Sequence, residues 1–269
     1  HPISCHEETA LGDSLLVQLC QKNQLVDINQ SQRMGDYTII LQRAYVDANQ
    51  LLFEYKVLQN STGKFVFLSP MHLDVTLQGA QGPIAFGNAT GTSHLAELAS
   101  TPDVPTVISV FNRGVFPQNL QAFDLLITLH DFGLGSQEDM AHLRLVKGTA
   151  SFHFSLPFHT GNILNLDDSV KENGVTLTLF RAIITPSAAS FYIRGLIPAM
   201  LEEYSISLNG QKIWASAVAA VPDALPDHQA SYAVISYVSS LPASQPGTLT
   251  LSIHLHNHPD TWIFTINLL

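Results

Sequence analysis

Along much of the chain, apolar and polar residues alternate with a period of two, the signature of strands with one buried face. Tyr37, Ile39 and Leu41 alternate with Thr38, Ile40 and Gln42, and Phe53, Tyr55 and Val57 form a second such run after the turn Asp47-Ala48-Asn49. The same grammar returns in Val175, Leu177 and Leu179, followed past Pro186-Ser187-Ala188 by Phe191 and Ile193. Each pair reads as two antiparallel strands on a short connection. Further alternating runs are predicted at 64–77, 120–130, 149–156, 204–214, 230–238, 248–256 and 261–268, the last two with Leu249, Leu251, Ile253 and Leu255 answered by Trp262, Phe264, Ile266 and Leu268. Asn209-Gly210 between alternating residues predicts a hairpin, because both central residues of a type I′ turn need positive φ. From Glu7 to about Leu25 the period changes: Leu11, Leu15, Leu16 and Leu19 follow helical spacing. Residues 78–118, rich in glycine and proline, predict loops and short edge strands, and Gly133 to Met140 predicts a turn cluster.

One segment is used twice. The first copy, Ile28 to Val57, reads INQSQRMGDYTIILQRAYVDANQLLFEYKV; the second, ending at Gly195, reads LNLDDSVKENGVTLTLFRAIITPSAASFYIRG, with two extra residues allowed for in its turn. Placing Arg43 on Arg181 sets an offset of 181 − 43 = 138, at which Ser31/Ser169, Thr38/Thr176, Leu41/Leu179, Ala44/Ala182 and Phe53/Phe191 coincide. Two arginines in register with the apolar row are the odd members. A stem packed along the sheet, its guanidinium at the rim or paired with a carboxylate, is the structural explanation; a matched ligand-binding pair is the functional one. The duplication and the absence of a helix between parallel strands point to an all-β chain. The expected fold is two tandem immunoglobulin-like antiparallel β-sandwiches with a short N-terminal helix: a lead segment at 1–26, a first sandwich at 27–157 and a second at 158–269, with Pro157 to Ile163 as the linker.

Bulk properties narrow the partners. The 269 residues are 46% hydrophobic and 13% charged with a net charge of −10, so nucleic acid is not an expected partner. No stretch reaches the ~20 apolar residues of a membrane span, and HPISCHEE lacks the order of a signal peptide. The chain begins with histidine, and the expectation is an excised piece whose anchor or targeting signal lay upstream of His1. Cys5 and Cys20 would close a loop worth about 3 kcal/mol if oxidised, and are equally consistent with packed thiols. Asn60-Ser-Thr62 and Asn88-Ala-Thr90 match the glycosylation sequon.

The first repeat, with Gly35 opening a strand and the Tyr45-x-Asp47-Ala48-Asn49 turn, resembles the start of a bacterial extracytoplasmic domain of unknown function. ASFHFSLP at 150–157 followed by ENGVTLTLFRAIITPSAASFYI is similar to the companion domain that follows it. The resemblance, from about Gly12 onward, implies a pair of domains outside the membrane in proteins similar to membrane-anchored anti-sigma factors. It implies no catalytic residue.

The chemistry on offer is sparse. In Ser252-Ile-His254-Leu-His256-Asn-His258-Pro-Asp260, His254 and His256 stand two apart on one strand face, about 6 to 7 Å from each other, close enough to share Zn²⁺ or Cu²⁺, with His258 or Asp260 as a third ligand. Alternation alone also places both on a solvent face. Asp47 and Asn49 have the oxygen-rich character of calcium loops, but the rest of such a loop is missing, and Asx-turn formation explains them. No Gly-x-Ser-x-Gly elbow, Walker loop, dinucleotide fingerprint or paired CxxC occurs. Trp214 and Trp262 are candidates for stacking on sugars, Trp262 in the buried register. The expected function is a non-enzymatic sensing or protein-interaction region without a cofactor, on the extracytoplasmic face of a bacterial membrane. Its partner would be a protein or cell-envelope component, and it would reach the membrane only through a missing segment. The alternatives are a metal-binding protein or metal-dependent enzyme using the C-terminal histidines, and a carbohydrate-binding or adhesive module.

Overall fold

The computed structural model describes residues 5, 14–79, 82–85, 105–111, 121–134, 144–213, 217–221, 232–238 and 246–268. They form a helix α1 (Ser14–Gln21), a 3-10 turn (Pro198–Met200) and strands β1 (Val26–Met34), β2 (Tyr37–Val46), β3 (Gln50–Gln59), β4 (Lys64–Phe65), β5 (Leu68–Gly79), β6 (Gly82–Ala85), β7 (Thr106–Phe111), β8 (Ala122–Leu134), β9 (Arg144–Pro157), β10 (Asn162–Glu172), β11 (Val175–Ile184), β12 (Ala188–Arg194), β13 (Leu201–Leu208), β14 (Gln211–Ile213), β15 (Ala217–Val221), β16 (Tyr232–Val238), β17 (Gly247–Leu255) and β18 (Thr261–Leu268). The chain is all-β and antiparallel throughout its named strand pairs, with a sandwich-like fold. It divides into two compact units, His1–Asn112 with Phe116–His159, and Arg113–Val115 with Thr160–Leu269.

In unit 1, one sheet runs β1-β2-β3-β4 with β7 also on β3, and the other runs β6-β5-β8-β9. Strand β1 lies along β9, where Gln30 Nε2 donates to the His153 carbonyl at 2.8 Å. Unit 2 repeats the plan as β10-β11-β12-β16-β15 and β14-β13-β17-β18. Its core draws on both sheets: Leu177, Leu179, Phe191, Ile193 and Ile235 from one pack with Ile206, Leu249, Leu251, Ile253, Trp262 and Phe264 from the other. The alternation read in β17 and β18 is therefore the core register of this unit, and burying such side chains supplies its main driving force.

The duplication is kept in register to the residue. Asp27 faces Arg43 and Ala44 faces Phe53 in unit 1; Asn165 faces Arg181 and Ala182 faces Phe191 in unit 2. The pairing shifts by a residue at Asp27/Gln30 and Leu41/Arg43, and again at Asn165/Asp168 and Leu179/Arg181. The second hairpin needs no insertion, because Met34 faces Tyr37 and Glu172 faces Val175 across two-residue turns. Gly35 at φ 58°, and Asn173 at 45° with Gly174 at 83°, supply the left-handed residues such turns require.

The predicted hairpin at Asn209-Gly210 forms, with φ of 51° and 81°. Helix α1 ends at Gln21, before the expected Leu25; Leu15, Leu16 and Leu19 are buried, and Leu11, with the rest of 6–13, lies outside the described residues. Thr106–Phe111, in the region read as loops and short edge strands, is such a short strand, paired with β3 and with Val107, Ile108 and Val110 buried; residues 86–104, including Asn88, fall outside the described residues. One reading needs correction. Gly133 and Leu134, read as the start of a turn cluster, extend β8 past a bulge at His130/Phe132, where Asp131 adopts φ 43°. The remainder of that cluster, 135–140, is outside the described residues.

Candidate functional site

The predicted histidines sit at the end of β17. Strand β13 pairs Leu201 with Leu255 and Glu203 with His254, so Glu202 is an extra, bulged residue between them. A bulge re-aims its side chain. Glu202 Oε2 lies 3.7 Å from His254 Nε2 and 3.8 Å from His256 Nδ1. The structure does not add the third expected ligand. The His258 ring packs edge-on against Trp262 at 5.7 Å, and its main-chain N–H donates to the Leu255 carbonyl at 3.1 Å. Asp260 accepts a hydrogen bond from Asn173. Among the described residues no group of three or more His, Cys, Asp or Glu side chains is arranged to hold a metal ion. His254, His256 and Glu202 are 34%, 56% and 48% exposed, and at that exposure water screens the attraction to under about 1 kcal/mol per pair. Glu202 was invisible to spacing arguments because a bulge breaks the period on which they rely.

A second polar cluster, also missed in the sequence, lies on the outer face of β5, β8 and β9. His130 Nε2 meets Asp74 Oδ2 at 3.0 Å and its Nδ1 meets Thr149 Oγ1 at 3.2 Å. His72 stands across from His130, and His153 Nε2 is 3.3 Å from Asp124 Oδ2. An imidazole between a carboxylate and a hydroxyl has the connectivity of an acid–base relay. Here Asp74 is 73% and His130 35% exposed, so water solvates both and leaves the hydroxyl weakly activated.

The repeated hairpins hold the buried polar groups. In unit 1, Arg43 Nε and Glu54 Oε2 form an ion pair at 3.1 Å with exposures of 8% and 1%, so the guanidinium is paired as foreseen but in the interior and not at the rim. Its Nη1 lies 4.0 Å from Cys20 Sγ. Cys20 is joined to Cys5 by a disulfide, which ties the end of α1 to the chain's beginning. In unit 2, Arg181 faces Tyr192, and Arg181 Nε is buried with no hydrogen-bond partner among the described residues. Nearby, the Tyr192 ring meets Phe180 edge-on at 6.1 Å, and Arg194 lies over Phe180 at 4.4 Å.

Each hairpin then turns on a side-chain acceptor. Asp47 Oδ1 accepts from the main chain of Asn49 and Gln50 at 2.8 and 2.9 Å, while Oδ2 accepts from the Tyr45 hydroxyl at 2.8 Å. Thr185, at the equivalent position, accepts from the Ala188 N–H at 3.2 Å. Both Asp47 oxygens that suggested calcium are therefore occupied in building an Asx turn. Stacking on a sugar is not open to Trp262, whose ring is fully buried with Nε1 donating to the Val175 carbonyl at 3.3 Å; Trp214 lies outside the described residues.

No family model matches the chain, and no curated protein does. Among solved structures, a conserved domain protein from Bacillus anthracis aligns over 91% of this chain and 90% of its own, at 8% identity and a TM-score of 0.51. The likeness is one of fold. A second structure, Rst D1-D2, aligns over 82% of this chain and 91% of its own at 9% identity, with a TM-score of 0.22.

Proposed function

We propose that the chain is a non-enzymatic, extracytoplasmic sensing or protein-interaction region of a membrane-tethered regulator similar to anti-sigma factors, built from tandem immunoglobulin-like sandwiches. The observation that carries the compartment is the Cys5–Cys20 disulfide, since such bonds form and persist in oxidising environments outside the cytosol. The role in binding is supported by where the polar chemistry lies. The buried polar groups of the hairpins build turns and an ion pair, whereas the histidine and carboxylate clusters face outward on open sheet surfaces. Such surfaces suit recognition of a protein or envelope component more than chemistry in a water-excluded site. No described helix is long and apolar enough to cross a membrane.

The test is made on the full-length protein in intact bacteria. A maleimide-polyethylene glycol gel shift is expected to label neither cysteine until reductant is added, and external protease is expected to cleave the region once the outer barrier is opened. Cysteines labelled without reductant, together with protection from protease, overturn the assignment. The regulatory part fails separately if deleting the region leaves transcription unchanged under envelope stress. A second reading, a metal-binding surface, rests on the spacing of His254 and His256 alone, since no described group of three such side chains is arranged to hold an ion. Elemental analysis of protein purified without a histidine tag would then give about one equivalent of zinc or copper, and a ratio near zero removes it.

A further inference from the structure

We infer that the Cys5–Cys20 disulfide is a thiol–disulfide exchange site, attacked at Cys5, with Arg43 receiving the thiolate that leaves at Cys20. The inference rests on the extracytoplasmic reading for the bond's existence in the cell, and adds a reactant class: low-molecular-weight or protein thiols.

Three observations combine. Cys5 is partly exposed while Cys20 is 2% exposed, so an incoming thiolate meets the Cys5 sulfur. Arg43 presents Nε to Glu54 and Nη1 to Cys20 Sγ at 4.0 Å, so a guanidinium stands beside the sulfur. Both members of the ion pair are buried, where charge acts with little screening. A thiolate beside arginine is stabilised, and a thiol of lowered pKa leaves faster. Arginine cannot escape this role by deprotonating.

In the first step an external thiolate forms a bond to Cys5 Sγ, the Cys5–Cys20 bond breaks, and the electron pair leaves on Cys20 Sγ beside Arg43. In the second, another thiolate attacks the external sulfur of the mixed disulfide and expels Cys5 as thiolate. Two thiols are oxidised to one disulfide, and the protein disulfide gains their two electrons. The product is a chain in which Arg43 is shared between Glu54 and Cys20, and α1 has lost its covalent tie to Cys5.

The test treats purified oxidised protein with reduced glutathione at neutral pH, quenches with iodoacetamide, and maps the modifications by mass spectrometry. Glutathione on Cys5 with alkylated Cys20 is expected. The double variant Arg43→Gln/Glu54→Gln, which removes both charges together and strands neither, should slow exchange ~10-fold, the effect of about two units in the leaving thiol's pKa at a Brønsted sensitivity of about one half. Arg43→Lys, which keeps the charge, should stay within about threefold of the parent, and circular dichroism of each variant verifies the fold. Glutathione on Cys20, or a rate unchanged in the double variant, overturns the exchange site and leaves the compartment standing. Isolation from cells with both cysteines as free thiols overturns both.

Discussion

At one position of the repeated hairpin, unit 1 buries Arg43 against Glu54, whereas unit 2 sets Arg181 opposite Tyr192. A few residues on, unit 1 turns on a carboxylate with three hydrogen-bond donors and unit 2 on a threonine hydroxyl. Yet both hairpins shift register at matching places and close with turns of the same length. What persisted through the duplication is backbone geometry, the bulges above all. The groups hung on that geometry were free to diverge, and the ionic version arose beside the disulfide-linked helix. The site chemistry of one copy is therefore no guide to that of the other.

Mutations can sharpen this contrast. The largest effect is expected from Glu54→Ala, which removes the carboxylate from a buried pair and should cost unit 1 roughly 3–5 kcal/mol, whereas replacing both partners with apolar residues should cost far less. Hydrogen exchange of β2 amides reads unit 1. Unit 2 contains both tryptophans, Trp214 and Trp262, so tryptophan fluorescence reads it and should not change. An equal loss in both signals would break the comparison. Next, the Cys5→Ser/Cys20→Ser chain should lose about 3 kcal/mol in unit 1 alone, checked by urea denaturation with the same two probes. Third, Asp47→Ala should cost about 2 kcal/mol, since it leaves a buried tyrosine hydroxyl and two N–H groups to find other partners, against about 1 kcal/mol for Thr185→Ala. Equal values would mean the two turns are energetically alike.

The smallest effect is a pH dependence. Burial raises the Tyr55 phenol well above its usual value, with weaker opposing hydrogen bonds from Ser69 and Thr106. A group whose folded pKa is raised contributes stability in full below its unfolded value, about 10, and loses it as pH rises beyond. Unit 1 should therefore weaken above about pH 10 more steeply than a Tyr55→Phe variant. Unit 2 carries Ile193 at the matching position, and its half-buried Tyr204, raised by burial to a smaller degree, should give a shallower decline. Alkaline melts followed by tyrosinate absorbance check both.

How much of this was legible in the sequence follows from which physical rule governs each element. Strands with one buried face declare themselves by alternation, so β2, β8, β17 and β18 could be read, and the Asn209-Gly210 turn followed from its need for positive φ. Strand β7 could be read only as one of the short edge strands of its region, because the polar residues of TVISVF, Thr106 and Ser109, stand three apart and give no alternation that fixes its bounds. The extension of β8 through Gly133 escaped because the register shift at His130/Phe132, with Asp131 at positive φ, interrupts the alternation before the glycine. The same limit hid Glu202: His254 and His256 were found by their spacing, but their neighbour arrives through a bulge in another strand. The histidine-centred cluster of Asp74, His130 and Thr149 depends on cross-strand register, which one strand's pattern does not state. Arg43 was recognised as out of place among apolar residues, but its partner was not, since nothing in β3 marks Glu54 as buried.

The matched register of the two hairpins has a consequence for assembly during synthesis. Two segments with the same turn length and bulge positions are near-interchangeable templates, a hazard for any chain that contains both before either has finished folding. A β2 strand laid in error against β12 would bring Arg43 to Tyr192, the residue that Arg181 already faces in unit 2, while β3 would bury Glu54 with no arginine opposite it. The penalty on such a mispairing therefore falls on the carboxylate left behind, and it vanishes if β11 takes the vacated place and sets Arg181 against Glu54.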